Sequence, residues 1–206
     1  MRFLTAILVA TIGLLGVSAG IAPAQEKLGP AAPEEAQRVA ERLMQLLEDG
    51  LDKAPVQVSL TAKNSALLRI DGGGGVLLIA DSGLSAETLG KVGKDLVPVG
   101  VLLWRKLALV SGDDRVAAEG LFKFTRGDVE VQAVVLAARK TDDGLALQAF
   151  GPGDDPVASA AIKEVDGEDA RVALSVAEKD EAAKRGVIAL HLAKNLAARL
   201  KFGAPE

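Results

Sequence analysis

Between Val97 and Ala177 the chain repeats one pattern: a short apolar run, then a turn built from acidic residues and glycine, then another run. The turns fall at Ser111-Gly112-Asp113-Asp114, Arg126-Gly127-Asp128, Asp142-Asp143-Gly144, Gly151-Pro152-Gly153-Asp154-Asp155 and Asp166-Gly167-Glu168-Asp169. Asp and Gly satisfy turn backbones that bulkier residues strain, and runs punctuated in this way are the mark of an antiparallel meander. In one of them Val129, Val131, Ala133, Val135 and Ala137 share a face, opposed by Glu130, Gln132, Val134, Leu136 and Ala138. The opposing face is half apolar, so its far end needs a cover.

Other periods frame this stretch. From Pro33, the residues Ala36, Val39, Ala40, Leu43, Leu46 and Leu47 recur at helical spacing, with Glu34 and Glu35 at the positive end and Gly50 as the stop. Val56, Val58 and Leu60 then alternate with polar residues as a strand, and the runs Ala66 to Ile70 and Val76 to Ala80 flank Asp71 and the glycines at 72–75 as a hairpin. Ser85 reads as the N-cap of a short helix carrying Leu89, Val92 and Leu96. From about Asp180 to Lys201 a helical wheel gathers Ala189, Leu190, Ala193, Leu196, Ala197 and Leu200 on one side. The expected fold class is therefore α+β: an N-terminal helix, a mainly antiparallel sheet with one short inserted helix, and a C-terminal helix packed on the sheet. The order helix, three strands, helix, strands, helix is loosely similar to secretion-chaperone-like folds, from which the strands after Ala117 and the start of the chain depart.

That start reads as an export signal. Arg2 supplies a positive n-region, no charged residue follows from Phe3 to Ala24, and Ala22-Pro23-Ala24 fits the small-x-small rule for cleavage before Gln25. Residues 1–24 are thus expected to be a signal peptide, 25–33 a flexible linker and 34–206 a single domain. The mature protein is expected to be exported, periplasmic or extracellular, meeting a membrane only through the signal segment if that is retained. Export permits disulfides, yet the chain has no Cys, so neither disulfides nor Cys-ligated metal can hold the fold. Stability must come from packing, and with aromatics at only 3% the core is aliphatic. Without Arg2 the chain carries 23 basic against 28 acidic residues, which counts against nucleic acid as a partner.

The motifs for chemistry fail on their flanks. The glycines at 72–75 run into Val76-Leu77-Leu78-Ile79 rather than the Gly-Lys-Ser/Thr of a phosphate loop. Ser82 lies between a strand and a helix, but Ala80 and Leu84 stand where a nucleophile elbow needs glycine. The acidic turns never form the spaced oxygen ligands of a calcium loop, and Arg126-Gly127-Asp128 makes an ordinary turn. His191 is the only histidine, and on the helical wheel no carboxylate sits within a turn to orient it as a base. No catalytic, metal or cofactor residue is assigned.

What remains is a local excess of positive charge. Lys184, Arg185, His191, Lys194, Arg199 and Lys201 form a candidate interaction face on the expected last helix, suited to an acidic partner or an anionic lipid surface. The leading expectation is a non-catalytic envelope or secreted protein, a structural module or one that binds a partner protein. The alternative is a carrier of an apolar, lipid-like ligand held between the curved sheet and a helix, suggested by Val134 and Leu136 on the nominally polar face. A hydrolase relying on His191 is the third.

Overall fold

The computed structural model describes residues 29–47, 50–70, 73–166, 172–180 and 185–204. The expected signal peptide and the first part of the expected linker lie outside them, as do Lys184 and much of the last acidic turn. The described elements are β1 (Gly29–Pro30), α1 (Pro33–Leu47), β2 (Leu60–Ile70), β3 (Gly74–Asp81), α2 (Ala86–Gly90), β4 (Val97–Arg105), β5 (Ala108–Ser111), β6 (Asp114–Arg115), β7 (Phe122–Arg126), β8 (Val129–Thr141), β9 (Gly144–Phe150), β10 (Pro156–Glu164), β11 (Ala173–Asp180), β12 (Arg185–Ala193) and β13 (Leu196–Gly203). All strands belong to one antiparallel sheet in the order β1-β2-β3-β4-β8-β9-β10-β13-β12-β11, with β5, β6 and β7 attached at its sides. The sheet curls into a half-barrel, and its far edge, β11, returns to lie beside β1 and β2.

The expected α+β class is wrong, and the last element is the reason. Residues 185–203 form not a helix but the hairpin β12–β13, turning at Lys194-Asn195 with Asn195 in the left-handed region at φ 57°. The apolar residues that gather on a helical wheel also fit two strands of period two on either side of that turn. Ile188, Leu190, Ala198, Leu200 and Phe202 all enter the same core. Alanine favours a helix locally, but pairing with β10 and β11 buries both sides of the hairpin, and tertiary context outweighs propensity. The likeness to secretion-chaperone-like folds loses its final helix with this correction.

The rest of the chain departs less from its pattern. The helix at Pro33 is present, and the short one is capped as its sequence implies, with Ser85 Oγ accepting from the Thr88 N–H at 3.0 Å, though α2 stops at Gly90. The hairpin at 66–80 is present, but its first strand extends back through an irregular stretch to Leu60, leaving Val56 and Val58 in a loop. Gly29 and Pro30, within the expected linker, pair with Arg69 and Leu68.

Alternation along these strands sorts two cores. Facing into the curl are Leu68, Val76, Leu78, Leu102, Trp104, Val134, Leu136, Leu147, Leu190 and Phe202, all buried. On the outside, Leu77, Ile79, Val101, Leu103, Ala133 and Val135 meet Ala40 and Leu47 of α1. Thus β8 is buried on both faces over Ala133–Ala138, which accounts for the apolar residues on its nominally polar side. Small Ala36 and Ala40 let the α1 backbone approach the sheet, and Arg69 pairs with Glu35 across that interface. Each fully buried Leu, Val or Ile contributes about 1.5–3 kcal/mol, so a cysteine-free chain with few aromatics can still hold together. Asp81 is the exception among the buried residues; its carboxylate accepts from the N–H groups of Ser59 at 2.6 Å and Gly83 at 2.8 Å, tying the loop before β2 to the end of β3.

Candidate functional site

Three concavities follow from the way the half-barrel closes. The end of β2, the strand β11, the start of β12, the end of β13 and the last residue before β5 meet at one mouth, where Ile70, Leu107, Val176, Ile188 and Phe202 wall an apolar cavity of about 370 Å³. Its floor is Phe202, whose ring meets Trp104 edge to face at a centroid distance of 5.7 Å. Trp104 in turn donates its indole N–H to Gln132 Oε1 at 3.0 Å, so the polar atom of the only tryptophan is satisfied inside the curl. Val176 stands on the edge strand β11 with 53% of its surface exposed. It pairs across the ladder with Ile188, so the exposed valine shares the face that carries the core. Polar groups at the rim come from Glu178, Lys179, Asp180 and Arg185.

The second concavity, about 460 Å³, lies along the seam where β11 approaches β1 and β2, and is lined in part by Pro30, Ser65, Asp166, Ser175, His191 and Asn195. Here the structure gives His191 a partner that its sequence neighbours do not supply. His191 pairs with Ala173 and Ser175 with Ala189, so the two side chains are diagonal neighbours on the outer face, and Ser175 Oγ lies 3.1 Å from His191 Nε2. A serine beside a histidine is half of a nucleophilic constellation, which also needs a group to orient the imidazole and donors for an oxyanion. Among the described residues His191 makes no hydrogen bond to a carboxylate. Nothing in the order of residues predicts this pair, because it depends on the register of β11 against β12.

The third concavity is a cleft of about 510 Å³ where the sheet divides between β10 and β5, and it carries Lys163, Arg199 and Lys201. These bring the expected basic face back in altered form. Arg185, His191, Arg199 and Lys201 do share a surface, but it is the outer face of a strand pair, where alternate residues project together, rather than the polar side of a helix. Arg185 and Lys201 are engaged there, donating to the backbone carbonyls of Asp113 and Gly112, each at 3.1 Å, and so pin the β5–β6 turn. Arg199 donates to Glu178 at 3.4 Å. Lys194 lies in the β12–β13 turn, apart from them, and Lys184 is outside the described residues. Lys163 is the member of this surface that sequence inspection missed; it lies opposite Ala197, brought in by strand pairing from more than thirty positions upstream.

Elsewhere the motifs weighed in the sequence are structural. Ser82 is exposed in a turn whose N–H bonds to Ser59 O, and Gly127 serves its turn at φ 59°. Among the described residues there is no cluster of three or more His, Asp or Glu able to hold a metal, and no helix long and apolar enough to cross a membrane.

Fold and concavities together define a class, an antiparallel half-barrel with a filled interior and an apolar mouth. Neither a family model, nor a curated protein, nor a solved structure matches the chain.

Proposed function

We propose that the protein is an exported, non-catalytic binding protein whose half-barrel mouth holds one aliphatic chain of the fatty-acid kind. The observation that carries this reading is the cavity at the mouth, walled by Ile70, Leu107, Val176, Ile188 and Phe202, with an exposed valine at its lip. Cavities of about 300–1,000 Å³ with apolar walls and a few polar groups at the edge are the usual form of small-molecule sites, and barrel mouths are among their usual places. The aliphatic walls favour a chain over a stacked ring, since among the described residues Phe202 is the only aromatic lining it. Because the interior beyond Phe202 is packed, the ligand sits in the mouth rather than threading the barrel. Export rests on the uncharged N-terminal run and its Ala22-Pro23-Ala24 motif.

The competing reading, a partner protein held by the basic face, has less support because Arg185 and Lys201 are occupied in holding a turn. The hydrolase reading has Ser175 and His191 in contact, but among the described residues no carboxylate is hydrogen-bonded to the imidazole to orient it.

The test is direct. Native mass spectrometry and lipid extraction of the purified protein should recover a fatty acid, or added fatty acid should change the emission of Trp104, which lies behind Phe202. Val176→Glu should abolish the response without unfolding the protein, since Val176 is largely exposed. An apo mass together with unchanged fluorescence on fatty-acid addition would refute the reading.

A further inference from the structure

We infer that the cleft between β10 and β5 is a binding site for a phosphate group. Strand β10 pairs with β13 only through Ile162, Lys163 and Glu164, opposite Ala198, Ala197 and Leu196. Its earlier residues pair with β9 instead. On the same edge of β13, β5 takes over at Lys201, opposite Val110. Arg199 and Leu200 therefore face the division of the sheet, with neither ladder reaching them on that edge. The cleft of about 510 Å³ that opens there is bordered by Ser111 and Gly112 on one side and Ser159 and Lys163 on the other.

Register gathers the charges. Lys163 stands opposite Ala197, and Arg199 and Lys201 follow at alternate positions, so all three belong to the face away from buried Ala198, Leu200 and Phe202. Alternate residues of a strand lie about 6.6 Å apart, and diagonal neighbours on adjacent strands are within reach of long side chains. An anion near Arg199 is thus accessible to Lys163 from one side and Lys201 from the other. Ser159 shares this outer face of β10, because Ala158 and Ile162 are on the buried side. Against these cations the cleft sets, among the described residues, one lining carboxylate, Glu164.

Lys163 and Arg199 are the available cations, whereas Lys201 already donates to the Gly112 carbonyl at 3.1 Å and borders the cleft from there. Among the described residues Lys163 makes no hydrogen bond or ion pair. The Arg199–Glu178 pair is long at 3.4 Å and exposed at both ends, so exchanging it for a phosphate oxygen costs little. A chain of net charge −4 that assembles three cations from two strands around a cleft is suited to a compact, multiply charged anion, to which Arg offers paired N–H donors and Lys a point charge. This inference does not depend on occupancy of the mouth.

The probe is inorganic phosphate, titrated into isotopically labelled protein at constant ionic strength, with glycerol phosphate and phosphatidic-acid vesicles as further arms. Saturable shifts at the amides of Gly112, Ser159, Lys163 and Arg199 are expected. Lys163→Ala and Arg199→Ala should each weaken binding about tenfold, the scale of one charge-assisted hydrogen bond, while unfolding at the parent's temperature because both side chains are exposed. Recruitment to phosphatidic-acid vesicles, absent for phosphatidylcholine, would support the cleft and make its source a lipid headgroup. Phosphate binding without recruitment would support it and make the source soluble. The absence of a saturable response, or one that both variants leave unchanged, would overturn it.

Discussion

Phe202 and Trp104 meet edge to face, 5.7 Å between ring centroids at 73°, joining the last strand of the chain to β4 across the inside of the curl. Phe202 is both floor of the apolar mouth and part of the inner core. Truncation should therefore act on stability and on the environment of the indole together. Phe202→Ala is expected to lose about 3–5 kcal/mol, the usual cost of emptying a buried phenyl site. The measurement is urea unfolding followed by Trp104 fluorescence, with a fall in the midpoint and a shifted emission maximum in the native baseline.

A backbone position makes a sharper demand. Gly100 sits in β4 at φ 149°, beside the register shift between Pro98 and Gly100, and a Cβ there would strike the Ile79 carbonyl on β3. Gly100→Ala must bend one of two central strands, and overpacking of this kind costs about 1–3 kcal/mol before the strained backbone is counted. The expected outcome is a lower melting temperature by circular dichroism, larger than for Gly153→Ala, where the added atom meets open space.

Two ion pairs separate burial from mere proximity. Arg69–Glu35 links β2 to α1 with side chains only 20% and 28% exposed, whereas Arg199–Glu178 leaves 63% and 65% exposed. Exposed pairs contribute about 0.2–1 kcal/mol and buried pairs about 3–5 kcal/mol when one partner is lost. Glu178→Gln should fall in or below the first range and Glu35→Gln between the two. Parallel urea titrations at low and high salt are the check, with salt dependence expected chiefly at the exposed pair.

Legibility in the sequence followed the range of the interactions. The α1 helix carries its own period over Pro33–Leu47, and its acidic start lies within one turn. The turns at Arg126-Gly127-Asp128 and Asp142-Asp143-Gly144 are written in residues that accept turn geometry, and the structure turns at both. At residues 185–203 local evidence misled, because Ala and Leu on either side of Lys194-Asn195 satisfy a helical stripe and a strand alternation alike. For the candidate sites, the cations Arg185, Arg199 and Lys201 could be read from the chain, whereas Lys163 and the Ser175–His191 contact could not.

The chain by itself determined the turns at Arg126-Gly127-Asp128 and Asp142-Asp143-Gly144, that its core is mainly aliphatic and free of disulfide crosslinks, and that α1 presents one apolar side. These properties are carried by neighbouring residues and survive without knowledge of any distant partner. Only the tertiary structure decided that residues 185–203 are strands, that the sheet curls until β11 reaches β1 and β2, and that Ile70 and Phe202 share a mouth. Strand pairing is a contact between distant segments, and a shift of one residue would send every side chain to the other face. Register, and the sites it assembles, therefore follow from how the entire sheet buries itself.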